Sequence, residues 1–177
     1  MEYRIIISGT GGQGVISAGE ILSEALFKAG YEVVNTRSYG AEARGGSARS
    51  EVIVSDEEIN DLEIREANIL VLMSSPAYRV LIEKAEKQAL ILVEKQILAD
   101  LSDKDFKDDV SLFEISAYET AVSIGNPIVA NMVFLGALIK KTGLLTLEKL
   151  EETVRSLIPP SALDINIRAV KAGYSML

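Results

Sequence analysis

Four glycines fall within the six residues Gly9-Thr10-Gly11-Gly12-Gln13-Gly14, where a short apolar run gives way to a helical pattern. The spacing is G-x-G-x-x-G between a strand and a helix. Small residues let backbone approach a phosphate, and the unpaired N–H groups and dipole of a helix start favour an anion. The chemistry expected of these six residues is contact with an anion, or with a cofactor that carries one. A tight turn without a ligand is the plainer account, but a turn needs fewer glycines than this. A dinucleotide site would also place a carboxylate at the end of the second strand to hold a ribose. That position reads Asn35-Thr36-Arg37, which weakens NAD and leaves NADP resting on Arg37 alone.

A second cluster follows in Tyr39-Gly40-Ala41-Glu42-Ala43-Arg44-Gly45-Gly46. Arginine carries a rigid donor fork suited to phosphate or carboxylate, and the glycines leave it an open approach. Tyr39, Glu42, Arg44, Gly45 and Gly46 are therefore candidates for an active-site loop. An ordinary surface loop, with Arg44 paired to Glu42, fits the spacing equally well. Asn126 before Pro127, and Asn131 inside the apolar stretch Val129–Ile139, are further candidates. The blander reading carries more weight there: Asn126 as a turn former and Asn131 as a satisfied polar residue.

What the chain lacks limits its chemistry. Among 177 residues there is no cysteine and no histidine. Disulfides, thiolate nucleophiles, iron–sulfur ligation, the usual zinc sites and histidine-based acid–base catalysis are all excluded. A redox or group-transfer function must borrow its reactive centre from a cofactor or a partner. Lys and Arg total 18 against 26 Asp and Glu, a net charge of -8, which argues against a nucleic-acid or membrane-surface binder. No secretory signal pattern is visible, and the apolar stretch Val129–Ile139 has about half the length that spans a bilayer. The chain reads as cytoplasmic.

The elements that must hold these residues follow from periodicity. Tyr3–Ser8 reads as a buried strand and Glu32–Thr36 as a second, paired in parallel with the first through a βαβ opening. Between them Val15, Ala18, Leu22, Ala25 and Ala29 form a helical stripe that ends at Gly30. Ser47–Val54 alternates as a strand near a sheet edge. Asn68–Met73, Ala89–Val93 and Ser111–Ile115 read as further strands, with a helix from Ser75-Pro76 to about Lys87. The last third is helical: Asn131–Lys141 ending at Gly143, Leu147–Leu157 capped by Thr146, then a chain break at Pro159-Pro160. Ser161 and Asp164 resemble a capping box for a final helix carrying Leu163, Ile167, Val170 and Tyr174 inward. The fold class predicted is α/β, a single three-layer domain over residues 1–177 with a mostly parallel sheet and a helical C-terminal third. Its sites should lie at the carboxyl ends of the parallel strands.

The two glycine motifs together make the chain resemble a known family. Ile5-Ile6-Ile7-Ser8-Gly9-Thr10-Gly11-Gly12-Gln13-Gly14-Val15 is similar to the opening of the gamma subunits of 2-oxoacid:ferredoxin oxidoreductases. The loop from Tyr39 to Ser47, the segment Val54-Ser55-Asp56, and Asn131 with Leu135-Gly136-Ala137 resemble later motifs of that family in the same order. The resemblance implies an enzyme that oxidises a 2-oxoacid with coenzyme A to acyl-CoA, carbon dioxide and reduced ferredoxin, or runs in reverse. It implies thiamine diphosphate between alpha and beta subunits and iron–sulfur clusters on other chains, with a delta or ferredoxin-like subunit and ferredoxin as further partners. No Gly-Asp-Gly thiamine motif occurs in this chain. The gamma subunit would then be inert alone, close the active site, and offer its glycine turn to coenzyme A. The loop is nearest the 2-oxoglutarate type, although Ala41 stands where that type often carries proline. An independent NAD(P)-binding domain and a structural or regulatory α/β module are the alternatives.

Overall fold

In the computed structural model, which describes residues 1–40, 46–102 and 105–177, strand β1 (Glu2–Thr10) is buried through its middle. Ile5 and Ile7 face one apolar core and Ile6 the other. Burial on both faces explains why the apolar run is continuous instead of alternating.

The sheet continues with β2 (Glu32–Tyr39), β3 (Ser47–Ser55), β4 (Ala67–Leu72), β5 (Ala85–Glu94) and β6 (Ser111–Ile115). Its spatial order is β2-β3-β1-β4-β5-β6. β1 pairs with β4, β4 with β5, and β5 with β6, all in parallel. β3 runs antiparallel to both β1 and β2, so five of the six strands share one direction. The expected pairing of β1 with β2 is corrected: β3 lies between them. It forms a hairpin with β2 and buries Val52 and Val54 on one face and Ile53 on the other, as an interior strand does. β2 is therefore the edge.

Helix α1 (Val15–Lys28) packs its predicted stripe against the sheet, with Ala29 as cap and Gly30 at φ 98 just beyond. On the opposite face lie α2 (Ser75–Leu81) and the single turn α3 (Lys95–Leu98). α2 stops well short of Lys87. A 3-10 turn over Ile82–Lys84 leads directly into β5, whose Gln88 adopts φ 64 while its N–H reaches the Asp109 carbonyl at 2.5 Å. α4 (Ala117–Ile124), α5 (Ala130–Thr142), α6 (Leu147–Leu157) and α7 (Pro160–Met176) then complete the α1 face, giving three layers.

Two helix starts show how caps decide boundaries. Thr146 Oγ1 accepts the Lys149 N–H at 3.4 Å, and α6 begins where that cap predicts. The expected capping box at Ser161 and Asp164 does not form. α7 starts instead with Pro160 at its first position, where a missing N–H and a fixed φ suit a helix. α5 is buried from Ala130 to Ile139 and crosses α7 backbone to backbone at Gly136 and Gly173. Among the described residues no helix is long and apolar enough to cross a membrane.

Candidate functional site

The carboxyl ends of β1, β2, β4, β5 and β6 meet the start of β3 at one end of the sheet. Gly9 and Thr10 are the last residues of β1, and residues 11–14 turn into α1. Much of that turn is engaged with itself. Gln13 Oε1 accepts the Thr10 N–H at 2.7 Å, while Gln13 Nε2 donates to the Met73 carbonyl at 2.9 Å. The Gln13 N–H donates to the Thr10 carbonyl at 3.2 Å, and the Gly11 N–H to the Gly46 carbonyl at 2.7 Å. The expectation of a row of unpaired amides is thereby narrowed: among the described residues, those of Gly12 and Gly14 and the first turn of α1 remain for an anion.

Gly12 at φ 91 and Gly14 at φ 71 hold conformations that favour glycine, so the turn itself accounts for both. A side chain at Gly9 would strike the Gln13 amide. Gly11 answers to neither demand, since a Cβ there would meet only the Gly46 carbonyl at an ordinary 3.6 Å. It is the glycine that the turn's own geometry leaves unexplained.

Gly40 and Gly46 flank the second motif. The Gly40 N–H donates to the Ser47 carbonyl at 2.7 Å, and Gly46 is bonded to the glycine turn as above. The two motifs therefore adjoin. Tyr39 is 71% exposed. Glu42, Arg44 and Gly45 lie outside the described residues. Asn126 caps the 3-10 turn Pro127–Val129 by accepting the Ile128 N–H at 3.0 Å, which is the turn-forming role expected. Asn131 is buried, and its Nδ2 donates to the Gly14 carbonyl at 3.0 Å while its Oδ1 accepts the Met132 N–H at 2.8 Å. It is a satisfied polar residue, and it also ties α5 to the glycine turn.

Two clefts flank the turn. One, of about 430 Å³, is lined by Ser8, Gly9, Thr10, Gly40, Ser47, Arg49 and Ser74 beside α2. Arg49 is the one cationic side chain among its described lining residues, and it contacts Glu51 at 3.3 Å. The other, of about 260 Å³, is lined by Gly12, Gln13, Met73, Glu94, Gln96, Tyr118, Pro127, Ile128 and Ala130. Sequence reasoning singled out neither Arg49 nor Glu94. The available signal for Glu94 was a carboxylate following the apolar β5 core at a parallel strand's carboxyl end.

Glu94 is 7% exposed. Its Oε2 accepts the Tyr118 N–H at 3.0 Å, and its Oε1 has no hydrogen-bond partner among the described residues. Burial pushes this carboxyl above its ordinary value; the Tyr118 and Lys95 amides pull against that, and Glu119 adds to it. The folded chain therefore holds the proton more tightly than the unfolded chain. Stability that is present at low pH is lost as pH rises from the ordinary value of 4.5 through the raised one. Glu94→Gln should flatten that loss. Unfolding midpoints of the two proteins across a pH series check it, and a difference between them that stays constant with pH contradicts a carboxyl held above its ordinary value.

The dinucleotide geometry is absent at the edge. With β3 interposed, the end of β2 stands two strand spacings from β1, roughly 10 Å instead of 5 Å. Asn35 Oδ1 accepts the Ser50 hydroxyl at 2.8 Å, and Arg37 pairs with Glu20 at 2.6 Å.

Residues 4–176 match the family described as pyruvate ferredoxin/flavodoxin oxidoreductase. A relative from Methanothermobacter marburgensis, 2-oxoglutarate synthase subunit KorC, is 38% identical over 100% of this chain and 97% of its own. Indolepyruvate oxidoreductase subunit IorB of Pyrococcus horikoshii is 29% identical over 99% of this chain and 98% of its own. The crystal structure of a keto/oxoacid ferredoxin oxidoreductase gamma subunit from Geobacter sulfurreducens superposes with a TM-score of 0.84 and 32% identity, covering 98% of this chain and 96% of that one.

Proposed function

Because the chain belongs to the pyruvate ferredoxin/flavodoxin oxidoreductase family, as a gamma subunit of a 2-oxoacid:ferredoxin oxidoreductase, we propose that its complex acts on 2-oxoglutarate and that this subunit helps bind coenzyme A. The observation that carries the substrate is the 38% identity across the whole chain to a relative named 2-oxoglutarate synthase. The complex works in the cytoplasm, with alpha and beta subunits holding thiamine diphosphate and other chains holding the iron–sulfur clusters. A chain without cysteine leaves those clusters to its partners. Thiamine diphosphate and the clusters supply the decarboxylation and electron transfer.

This chain's share is binding and closure, carried by one domain over residues 1–177. The Gly12 and Gly14 amides, the start of α1 and the Arg49 guanidinium present positive charge at the sheet end where α/β ligands collect. Together they suit the phosphates of coenzyme A. The second motif, with Tyr39, Glu42, Arg44, Gly45 and Gly46, is assigned to the same ligand on its sequence alone. The NAD(P) reading loses ground because β3 displaces the second strand and Arg37 is paired.

The test is reconstitution. The purified chain alone, supplied with 2-oxoglutarate or pyruvate, coenzyme A and a viologen acceptor, should show no turnover. The assembled complex should turn over, and omitting this chain should abolish activity. Arg49→Ala in the complex should raise KM for coenzyme A by roughly ten- to a hundredfold, the worth of a charged hydrogen bond. Turnover by the single chain, or full activity of a complex lacking it, refutes the subunit role.

A further inference from the structure

We infer that Gln13 is a positioning residue: its carboxamide replaces one rung of the β1–β4 ladder and holds the two strand ends apart at the ligand end of the sheet. The inference rests on the coenzyme A reading above. It adds the side chain that keeps the Gly12 and Gly14 amides aimed outward.

The ladder itself carries the argument. β1 and β4 pair in parallel as far as Ser8 and Leu72. In a parallel pair the bonds are evenly spaced and slanted, so the N–H and C=O of one residue reach two residues that flank the one opposite it. Met73 makes the first half of the next step, donating its N–H to the Ser8 carbonyl at 2.8 Å. The second half would run from the Thr10 N–H to the Met73 carbonyl. Gln13 stands in its place. The Thr10 N–H donates to Gln13 Oε1 at 2.7 Å, and Gln13 Nε2 donates to the Met73 carbonyl at 2.9 Å. A side-chain amide offers the same acceptor and donor as a peptide unit. It therefore completes the ladder with both backbone groups satisfied, while separating the strands by its own width.

Gly9 is shaped to this insertion. Its φ lies outside the left-handed region, so backbone conformation does not demand glycine there. A Cβ at Gly9 would nevertheless collide with Gln13 Oε1, while Met73 Cβ at 3.1 Å and Val15 Cγ2 at 3.2 Å need yield only slightly. The inserted carboxamide is what excludes a side chain. It also stands between the two clefts, with Gln13 and Met73 lining one and Gly9 and Thr10 the other. Without it, the Thr10 N–H and the Met73 carbonyl can meet directly, exchanging two hydrogen bonds for one. The fold then loses little, but the sheet end closes and residues 11–14 follow Thr10 out of position.

The experiment compares Gln13→Ala, Gly9→Ala and the double variant, in the assembled complex for kinetics and as the full chain for unfolding and NMR. Gln13→Ala should raise KM for coenzyme A about tenfold through misaligned charged hydrogen bonds, while kcat changes by less than about twofold. Its unfolding midpoint should stay within about 4 °C of the wild type, since roughly one net hydrogen bond is lost. A scalar coupling across a new hydrogen bond, from the Thr10 nitrogen to the Met73 carbonyl carbon, should appear in its spectrum. Gly9→Ala expels the carboxamide with Gln13 still in the chain, so it should raise KM by a similar factor. The double variant should be no worse than either single one, because both remove the same insertion. The inference is overturned if KM is unchanged in Gln13→Ala, if the two KM effects multiply, or if the Thr10–Met73 coupling fails to appear. A midpoint far below the wild type, with KM and kcat worsening together, also overturns it, since that marks a contact needed only for folding. Arg49→Ala keeps the two readings apart: a raised KM there beside an unchanged one in Gln13→Ala removes this inference and leaves coenzyme A binding standing.

Discussion

Gly136→Ala is expected to destabilise the chain, although alanine normally strengthens a helix by about 1 kcal/mol over glycine. The reason is the crossing of α5 and α7. A Cβ at Gly136 would collide with the Val170 carbonyl and come within 2.7 Å of the Tyr174 nitrogen; one at Gly173 would collide with the Val133 carbonyl. The obstacles are backbone atoms, which cannot rotate aside as a side chain can. The helices must separate instead, and α5 has its whole length from Ala130 to Ile139 buried, so separation uncovers apolar surface on several sides. Overpacking costs about 1–3 kcal/mol where neighbours can yield. Gly136→Leu should exceed that, at about 4 kcal/mol, and lower the unfolding midpoint by roughly 8–16 °C for a chain of this size. Calorimetry on the two variants decides the matter. An unchanged or raised midpoint for Gly136→Ala would show that the close approach is not a constraint.

Gly14→Val should have an effect of similar size, for a different physical reason. A β-branched residue at φ 71 carries roughly 1–3 kcal/mol of strain. Its Cβ would also displace the Asn131 amide, which is buried and bonded to the Gly14 carbonyl. Leaving that amide unpaired adds about 1–3 kcal/mol, so the total is about 4 kcal/mol. Gly11→Ala is the control, because neither φ nor packing demands glycine there. It should change stability by no more than about 0.5 kcal/mol. A ligand role for the turn predicts that bulk at Gly11 raises KM for coenzyme A in the complex with little change in stability. If Gly14→Val melts with the wild type, the Asn131 bridge is not holding the turn.

Much of this architecture was legible before the structure. The α1 stripe, the Thr146 cap and the all-round apolar run of α5 are local signals, and each fixed its element closely. Sheet order is non-local. Nothing in the spacing of β1 and β2 announces that β3 will fold back between them. The Ala85–Gln88 segment misled for a related reason: Ala-Glu-Lys-Gln favours a helix by propensity, while pairing with β4 makes it strand, with a register shift between Ala67 and Ile69. The glycine turn was visible as a motif, but its internal hydrogen bonds through Gln13 were not. Glu94 and Arg49 became site residues only once the clefts existed, since each is an ordinary charged residue in its strand until the neighbouring loops enclose it.

The open edge at β2 has a consequence for solubility. Eight residues of strand end the sheet there, and an exposed strand edge invites pairing with any other extended chain. Glu32 and Arg37, both exposed, stand on that edge, and Arg37 is held across to Glu20 of α1. Charged side chains in such positions make adventitious strand addition unfavourable, because the incoming backbone would desolvate them. Arg37 thus has a physical account as a guard against aggregation along the strand where the sheet stops.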